Sequence, residues 1–200
     1  PADADRLIER LPALATFGSI VGALVAPGLE TRRWELDARA SIQAILAEQG
    51  FRPFFQPIIE LRTGTVIGYE ALSRFADGRR PDVVFAVAAQ AGLGIELETA
   101  TLRAAIAASA ILPSKAYLSL NVSPELIGSG RLKALLARRR RTIVVEITEH
   151  VVIDDYDALK QGLKALGRRV QLAVDDAGAG YASLRHILEL KPDFVKLDVG

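Results

Sequence analysis

The chain contains no cysteine and no methionine, and only two histidines, His150 and His186. The missing cysteines exclude disulfides, thiolate zinc sites, iron–sulfur clusters and a cysteine nucleophile. Two histidines leave little for a His-rich metal site or a Ser-His-Asp triad. Net charge is scarce as well. Twenty-five Lys and Arg stand against 24 Asp and Glu, a formal balance of +1, so DNA is not an expected partner. A chain that is 50% hydrophobic and 24% charged fits neither disorder nor a collagen-like or disulfide-framework class. What remains is an ordinary globular composition over 200 residues, one domain or one domain with a flank. That length also sets a bound, because a (β/α)8 barrel normally needs about 250 residues and rarely fewer than about 200.

Pro1 opens a chain without Met, which reads as an excised piece of a longer protein or as a chain that has lost its initiator. Leu11–Leu29 (LPALATFGSIVGALVAPGL) carries no charge and approaches the length of a membrane span. Pro12, Gly18, Gly22, Pro27 and Gly28 interrupt it, and acidic Asp3, Asp5 and Glu9 precede it where a signal peptide would be basic. No membrane span is therefore expected. The segment reads instead as a buried helix of an upstream domain or a dimer seam. Thr31–Gln49 follows as an amphipathic connector helix with Trp34, Ala38, Ile42, Ile45 and Leu46 near one face and Gly50 at its stop. A domain boundary is expected near residue 50, leaving 1–50 as helical flank and 51–200 as the main domain.

From Phe51 the chain keeps a strand–helix rhythm. Phe51–Leu61 and Thr65–Phe75 are strand candidates joined by the short turn Arg62-Thr63-Gly64, and so short a loop requires an antiparallel pair. Pro81–Ala110 is Ala-rich and predicts one long helix. Ala116–Val122 is a strand, after which Ser123-Pro124 opens a helix as N-cap and first residue. Thr142–Thr148, Val170–Asp175 and Asp193–Asp198 are further strands, separated by helices at Tyr156–Leu166 and Tyr181–Leu190. Strands separated by helices pair in parallel. The rhythm fits a barrel whose first strand is reversed, and it also fits an open doubly wound sheet.

The strand ends separate these two. Each carries a polar residue: Glu70, then Asn121, Glu146, Asp175 with Asp176, and Lys196 with Asp198. A single acid at a strand end is most often a solvated loop residue or a helix cap. Its recurrence over successive strands points to one shared site. Strand C-termini converge on one face of a barrel but lie in a line in an open sheet, so the pattern favours the barrel. Crowded carboxylates need a compensating cation. An all-oxygen ligand set selects a hard ion, Mg²⁺ or Mn²⁺. Neighbouring Asp175 and Asp176 suit two ions, the usual arrangement for attack on a phosphate ester. Lys196 would be a point charge for a water or a phosphoryl oxygen, and Arg74, four residues after Glu70, a grip on phosphate.

These residues resemble a known family. Glu70-Ala71-Leu72 within GYEALSRF is similar to the signature of the EAL family, bacterial phosphodiesterases of cyclic di-GMP. FFQPI (54–58), LNVS (120–123), EITE (146–149), DDAGAGYASL (175–184) and KPDFVKLD (191–198) resemble the family's later motifs in order and spacing. The resemblance implies an α/β (β/α)8 TIM-like barrel with an antiparallel first strand, and hydrolysis of cyclic di-GMP to linear pGpG. It implies Glu70, Asn121, Glu146 and Asp175 as ligands of a first metal and Asp175 and Asp176 as ligands of a second. Lys196 resembles the lysine that orients the attacking water, and Glu149 the glutamate that steadies the loop after the fifth strand. Gln56 and Arg74 resemble substrate contacts. A cytoplasmic homodimer with an upstream sensor domain is implied for the parent protein, and the helix of the flank resembles the closing helix of GAF-type modules.

Three departures bear on this. Ala177 stands where the family usually has Phe, and Gln90 where it often has Glu. Gly200 ends the chain after the sixth strand, before the family's remaining glutamate, so an incomplete barrel of six strands with weak or no hydrolysis is expected. The alternatives are a cyclic di-GMP sensor that does not cut, a scaffold without metal-dependent binding, and another Mg²⁺-dependent barrel enzyme. Both histidines read as non-catalytic surface residues.

Overall fold

The computed structural model describes residues 26, 28, 30–137, 141–148, 151–178 and 181–197. Most of the uncharged stretch at 11–29, together with Glu149, His150 and Asp198, lies outside them. No helix among the described residues is long and apolar enough to cross a membrane.

Helix α1 (30–48) ends as its composition requires. Gln49 takes φ 51°, and the Gly50 N–H returns to the Ile45 carbonyl at 2.9 Å. Its apolar stripe buries Ala38, Ile42 and Ile45, whereas Trp34 lies beyond the contact and is exposed. Ile42 and Ile45 share a core with Phe75, Val84, Ala88, Leu93 and Leu97, so α1 packs directly on the elements that follow it.

Strands β1 (Phe51–Glu60) and β2 (Thr65–Phe75) form the expected antiparallel hairpin, with Gly64 at φ 70° in the turn and Gln56 opposite Glu70. Helices α2 (Pro81–Gln90) and α3 (Gly94–Ala108) then lead to β3 (Tyr117–Asn121). The sequence predicts a single helix over 81–110, and the structure breaks it. Gly92 takes φ 68°, its N–H reaches the Ala89 carbonyl, and the Leu93 N–H reaches Ala88, which is a left-handed helix stop. The alanine-rich flanks hid this signal, since alanine favours helix on both sides of it.

After β3 come α4 (Pro124–Gly128) and α5 (Arg131–Leu136), β4 (Ile143–Thr148), α6 (Tyr156–Ala165), β5 (Val170–Asp175), α7 (Tyr181–Leu190) and β6 (Phe194–Val195). Caps mark these helices in the sequence. Ser123 Oγ accepts the Leu126 N–H of α4, and Asp155 accepts the Ala158 N–H of α6. The six strands lie in chain order, and every pair after β1–β2 is parallel. Strand alternation then sorts the side chains. Leu118, Leu120, Val145, Ile147 and Leu172 face the helices and pack with Leu126, Ile127, Leu132 and Leu159.

The opposite face is concave. In a flat sheet, β2 and β6 would lie about 19 Å apart at the usual strand spacing. Lys196, just past β6, nevertheless reaches Glu70 of β2 at 3.1 Å, and the Phe194 ring stacks on Tyr117 of β3 with centroids 6.1 Å apart. The described sheet is therefore an arc of a barrel with a reversed first strand, not a doubly wound plane.

Gly68 makes the floor of this concavity possible. A β-carbon there would overlap the Tyr117 ring, which lies against the β2 backbone. Gly68→Ala should lower unfolding stability by about 1–3 kcal/mol in urea titrations. Adding Tyr117→Leu should recover part of the loss; an unchanged midpoint for the single variant would contradict the close approach.

Candidate metal centre

The concave face gathers polar side chains from β2 to β5 and from the residue that follows β6. Glu70 comes from the middle of β2, Ser119 and Asn121 from β3, Glu146 from β4, Asp175 from the end of β5, and Lys196 from the residue after β6. Lys196 Nζ donates to Glu70 at 3.1 Å and to Glu146 and Asp175 at 3.0 Å each. One ligand atom from each of the three acids lies within 4.8 Å of the others. The remaining oxygens are also held. Asn121 Nδ2 donates to Glu70 Oε1 at 3.1 Å, and Ser119 Oγ donates to Glu146 Oε1 at 2.6 Å.

Burial makes this arrangement electrically demanding. Glu146 is only 1% exposed. That burial pushes its carboxyl up to about 6, the Ser119 hydrogen bond opposes the rise, and the charge of Glu70 adds to it. Lys196 is raised above the usual lysine value: desolvation pulls it down, and the combined attraction of Glu146, Asp175 and Glu70 overcomes that. Burial and the Glu146 charge also push Tyr117 up. Three carboxylates around a single ammonium leave two negative charges uncompensated when all are ionised. An all-oxygen donor set with that residual charge fits a hard divalent cation, and the ammonium at its centre marks where positive charge is wanted.

Other candidate residues fall around this cluster. Asp176 is exposed, one residue past the β5 end at φ 55°, and stands outside the three-carboxylate group; its N–H donates to Asp175 Oδ1 at 3.0 Å. Gln56 is exposed on β1 directly opposite Glu70. Arg74 is exposed, donates to the Ser73 carbonyl at 2.9 Å, and lines a cleft of about 920 Å³. Asn121, Glu146 and Thr148 line that same cleft.

His186 corrects an expectation. It is not a surface residue but is buried at 4% exposure, with Nε2 at 3.1 Å from the Val151 carbonyl and Nδ1 at 2.7 Å from the Tyr156 hydroxyl. A carbonyl only accepts, so Nε2 is the donor to Val151, and Nδ1 shares a hydrogen bond with the Tyr156 hydroxyl. Its helix places it on the α6 side, a contact that periodicity in α7 alone does not reveal. Ser119 also escaped notice. Its position two residues before Asn121 puts both on one strand face, and that was the available signal.

The EAL domain family model matches residues 39–200. Among curated proteins, the chain is 29% identical over 165 residues to PdeD of Escherichia coli K12, named a probable cyclic di-GMP phosphodiesterase, covering 76% of this chain and 31% of that protein. It is 27% identical over 162 residues to PdeG of the same organism, which carries the same description, covering 73% of this chain and 32% of that protein. Among solved structures, the manganese and cyclic di-GMP complex of Klebsiella pneumoniae BlrP1 is 32% identical, with a TM-score of 0.63 over 74% of this chain and 40% of that one. The chain thus spans about a third of the length of these two curated relatives.

Because Glu146 holds its proton more tightly folded than unfolded, the folded state binds more protons between about pH 4.5 and 6. Stability should therefore fall as pH rises through that window in metal-free protein. The expected size is up to about 2 kcal/mol, read as the difference between wild type and Glu146→Gln in chelator-treated samples. Parallel pH profiles for the two would contradict it.

Proposed function

The chain belongs to the EAL domain family, and from that premise we propose that it binds cyclic di-GMP at a divalent-metal centre suited to hydrolysing one phosphodiester to linear pGpG, with weak or no turnover by these 200 residues alone. The observation that carries this reading is the convergence of Glu70, Glu146 and Asp175 on one point, with Glu146 also lining the cleft. The relatives named as phosphodiesterases and the metal-bound cyclic di-GMP complex of BlrP1 support it.

In this reading Glu70, Asn121, Glu146 and Asp175 hold one Mg²⁺ or Mn²⁺, and Asp175 with Asp176 hold a second. The bound ions supply Lewis acidity at the phosphodiester and acidify a water. Everything else falls to side chains. Lys196 orients a water or a phosphoryl oxygen with donors that sit among the acids. Arg74, on the cleft wall, grips a phosphate through its planar guanidinium. Gln56 stands beside Glu70 to hydrogen-bond a base edge. Glu149 steadies the loop after β5. The cleft volume falls within the range usual for small-molecule sites.

Calorimetric titration of cyclic di-GMP with and without Mn²⁺, with pGpG followed by chromatography, tests the proposal. Binding is expected to require the metal and to fall about 100-fold or more in Glu70→Ala and Asp175→Asn. Arg74→Ala should weaken substrate binding and leave metal affinity unchanged. Metal-independent binding, or binding that survives Glu70→Ala, would overturn the metal-centre reading. Robust turnover to pGpG by these 200 residues would overturn the expectation of weak or no hydrolysis.

A further inference from the structure

Ser123 lies two residues past Asn121, where β3 has left the sheet. The last strand-type bond on this segment is the Val122 N–H to the Glu146 carbonyl at 2.9 Å. The next N–H, that of Ser123, goes to a side chain. Glu98 of α3 accepts the Ser123 N–H at 2.6 Å on one carboxylate oxygen and the Ser123 hydroxyl at 2.6 Å on the other. The same hydroxyl oxygen accepts the Leu126 N–H at 3.1 Å and caps α4. One serine therefore ties α3, the end of β3 and the start of α4 together.

A carboxylate is an expensive group to spend on a serine. Burial pushes the Glu98 carboxyl up, the two Ser123 bonds pull it down, and the charge of nearby Glu125 raises it again. Glu98 lines the cleft together with Asn121, Val122 and Ser123, yet it stands outside the three-acid cluster. Asn121 in turn must present its amide at the rim of that cluster, where its Nδ2 meets Glu70. Asn121 is the last ladder residue of β3, opposite Glu146, and past Val122 the bonds of Ser123 to Glu98 take over from the ladder in holding the backbone that follows it.

We infer that Glu98 is a positioning residue for the metal centre: by clamping Ser123 through two hydrogen bonds it fixes the strand end that carries Asn121. The inference rests on the metal reading above. Partners one step removed from a metal ligand typically shift affinity by about 10- to 100-fold when lost.

The test is Mn²⁺ titration of the full chain, monitored by calorimetry or electron paramagnetic resonance, with folding checked by circular dichroism. Glu98→Gln keeps the volume but can accept only one of the two bonds. It should bind Mn²⁺ about 10-fold more weakly than wild type. Asn121→Ala should also weaken binding, and the double variant should be no weaker than Asn121→Ala alone, because both act through one ligand. Ser123→Ala, which removes the hydroxyl arm together with the α4 cap and leaves the backbone N–H arm, should shift affinity in the same direction and serves if Glu98→Gln does not fold. Wild-type affinity in Glu98→Gln, or fully additive losses in the double variant, would overturn the inference and leave the metal centre standing. Failure of wild type itself to bind Mn²⁺ would overturn both.

Discussion

Three carboxylates from three strands meet around one ammonium, and the rest of the structure is arranged so that they can. Glu146 is almost fully buried, and Glu70 and Asp175 are only slightly exposed. Water cannot screen their repulsion, so each needs a compensating partner. Lys196 supplies one positive charge to all three, and Ser119 and Asn121 occupy oxygens the lysine does not reach. The net negative charge that remains is what a divalent cation would relieve. Stability and function are therefore in tension at this point, as they are wherever a ligand cage is assembled before its ion.

The sheet brings this about through curvature. Residues on five strands share a face only because parallel strands keep their pleat in register, and they share a point only because the sheet curls. Gly68 lets Tyr117 lie against β2, and Phe194 stacks on Tyr117 from across the arc, so an aromatic floor sits below the charged layer. The helices on the outer face fill the opposite side of the same strands with Leu, Ile and Val. Core and site are thus two faces of one alternation.

Much of this was legible in the chain. Glu70, Asn121, Glu146 and Asp175 announced themselves as polar residues recurring in successive apolar runs, although only Asn121 and Asp175 end their strands, Glu70 lying in the middle of β2 and Glu146 two residues inside β4. The hairpin at Arg62-Thr63-Gly64 and the caps at Ser123 and Asp155 have local causes, and local causes can be read. What could not be read are contacts between elements far apart in sequence. Glu98 looks like an ordinary polar residue of α3, and its partner is 25 residues away. His186 is polar on an amphipathic helix, and only packing against α6 buries it. The break at Gly92 is different: its signal was present and was outweighed by alanine on either side.

The central claim is that the carboxylate cluster is a metal site and not merely a buried ion-pair network. Anomalous-difference crystallography on the full chain grown with Mn²⁺ addresses it directly. The account predicts a manganese peak ligated by Glu70, Asn121, Glu146 and Asp175, with the Lys196 ammonium displaced from between the acids. A manganese-free cluster with Lys196 still bridging all three carboxylates, at Mn²⁺ concentrations that saturate ordinary sites, would contradict it.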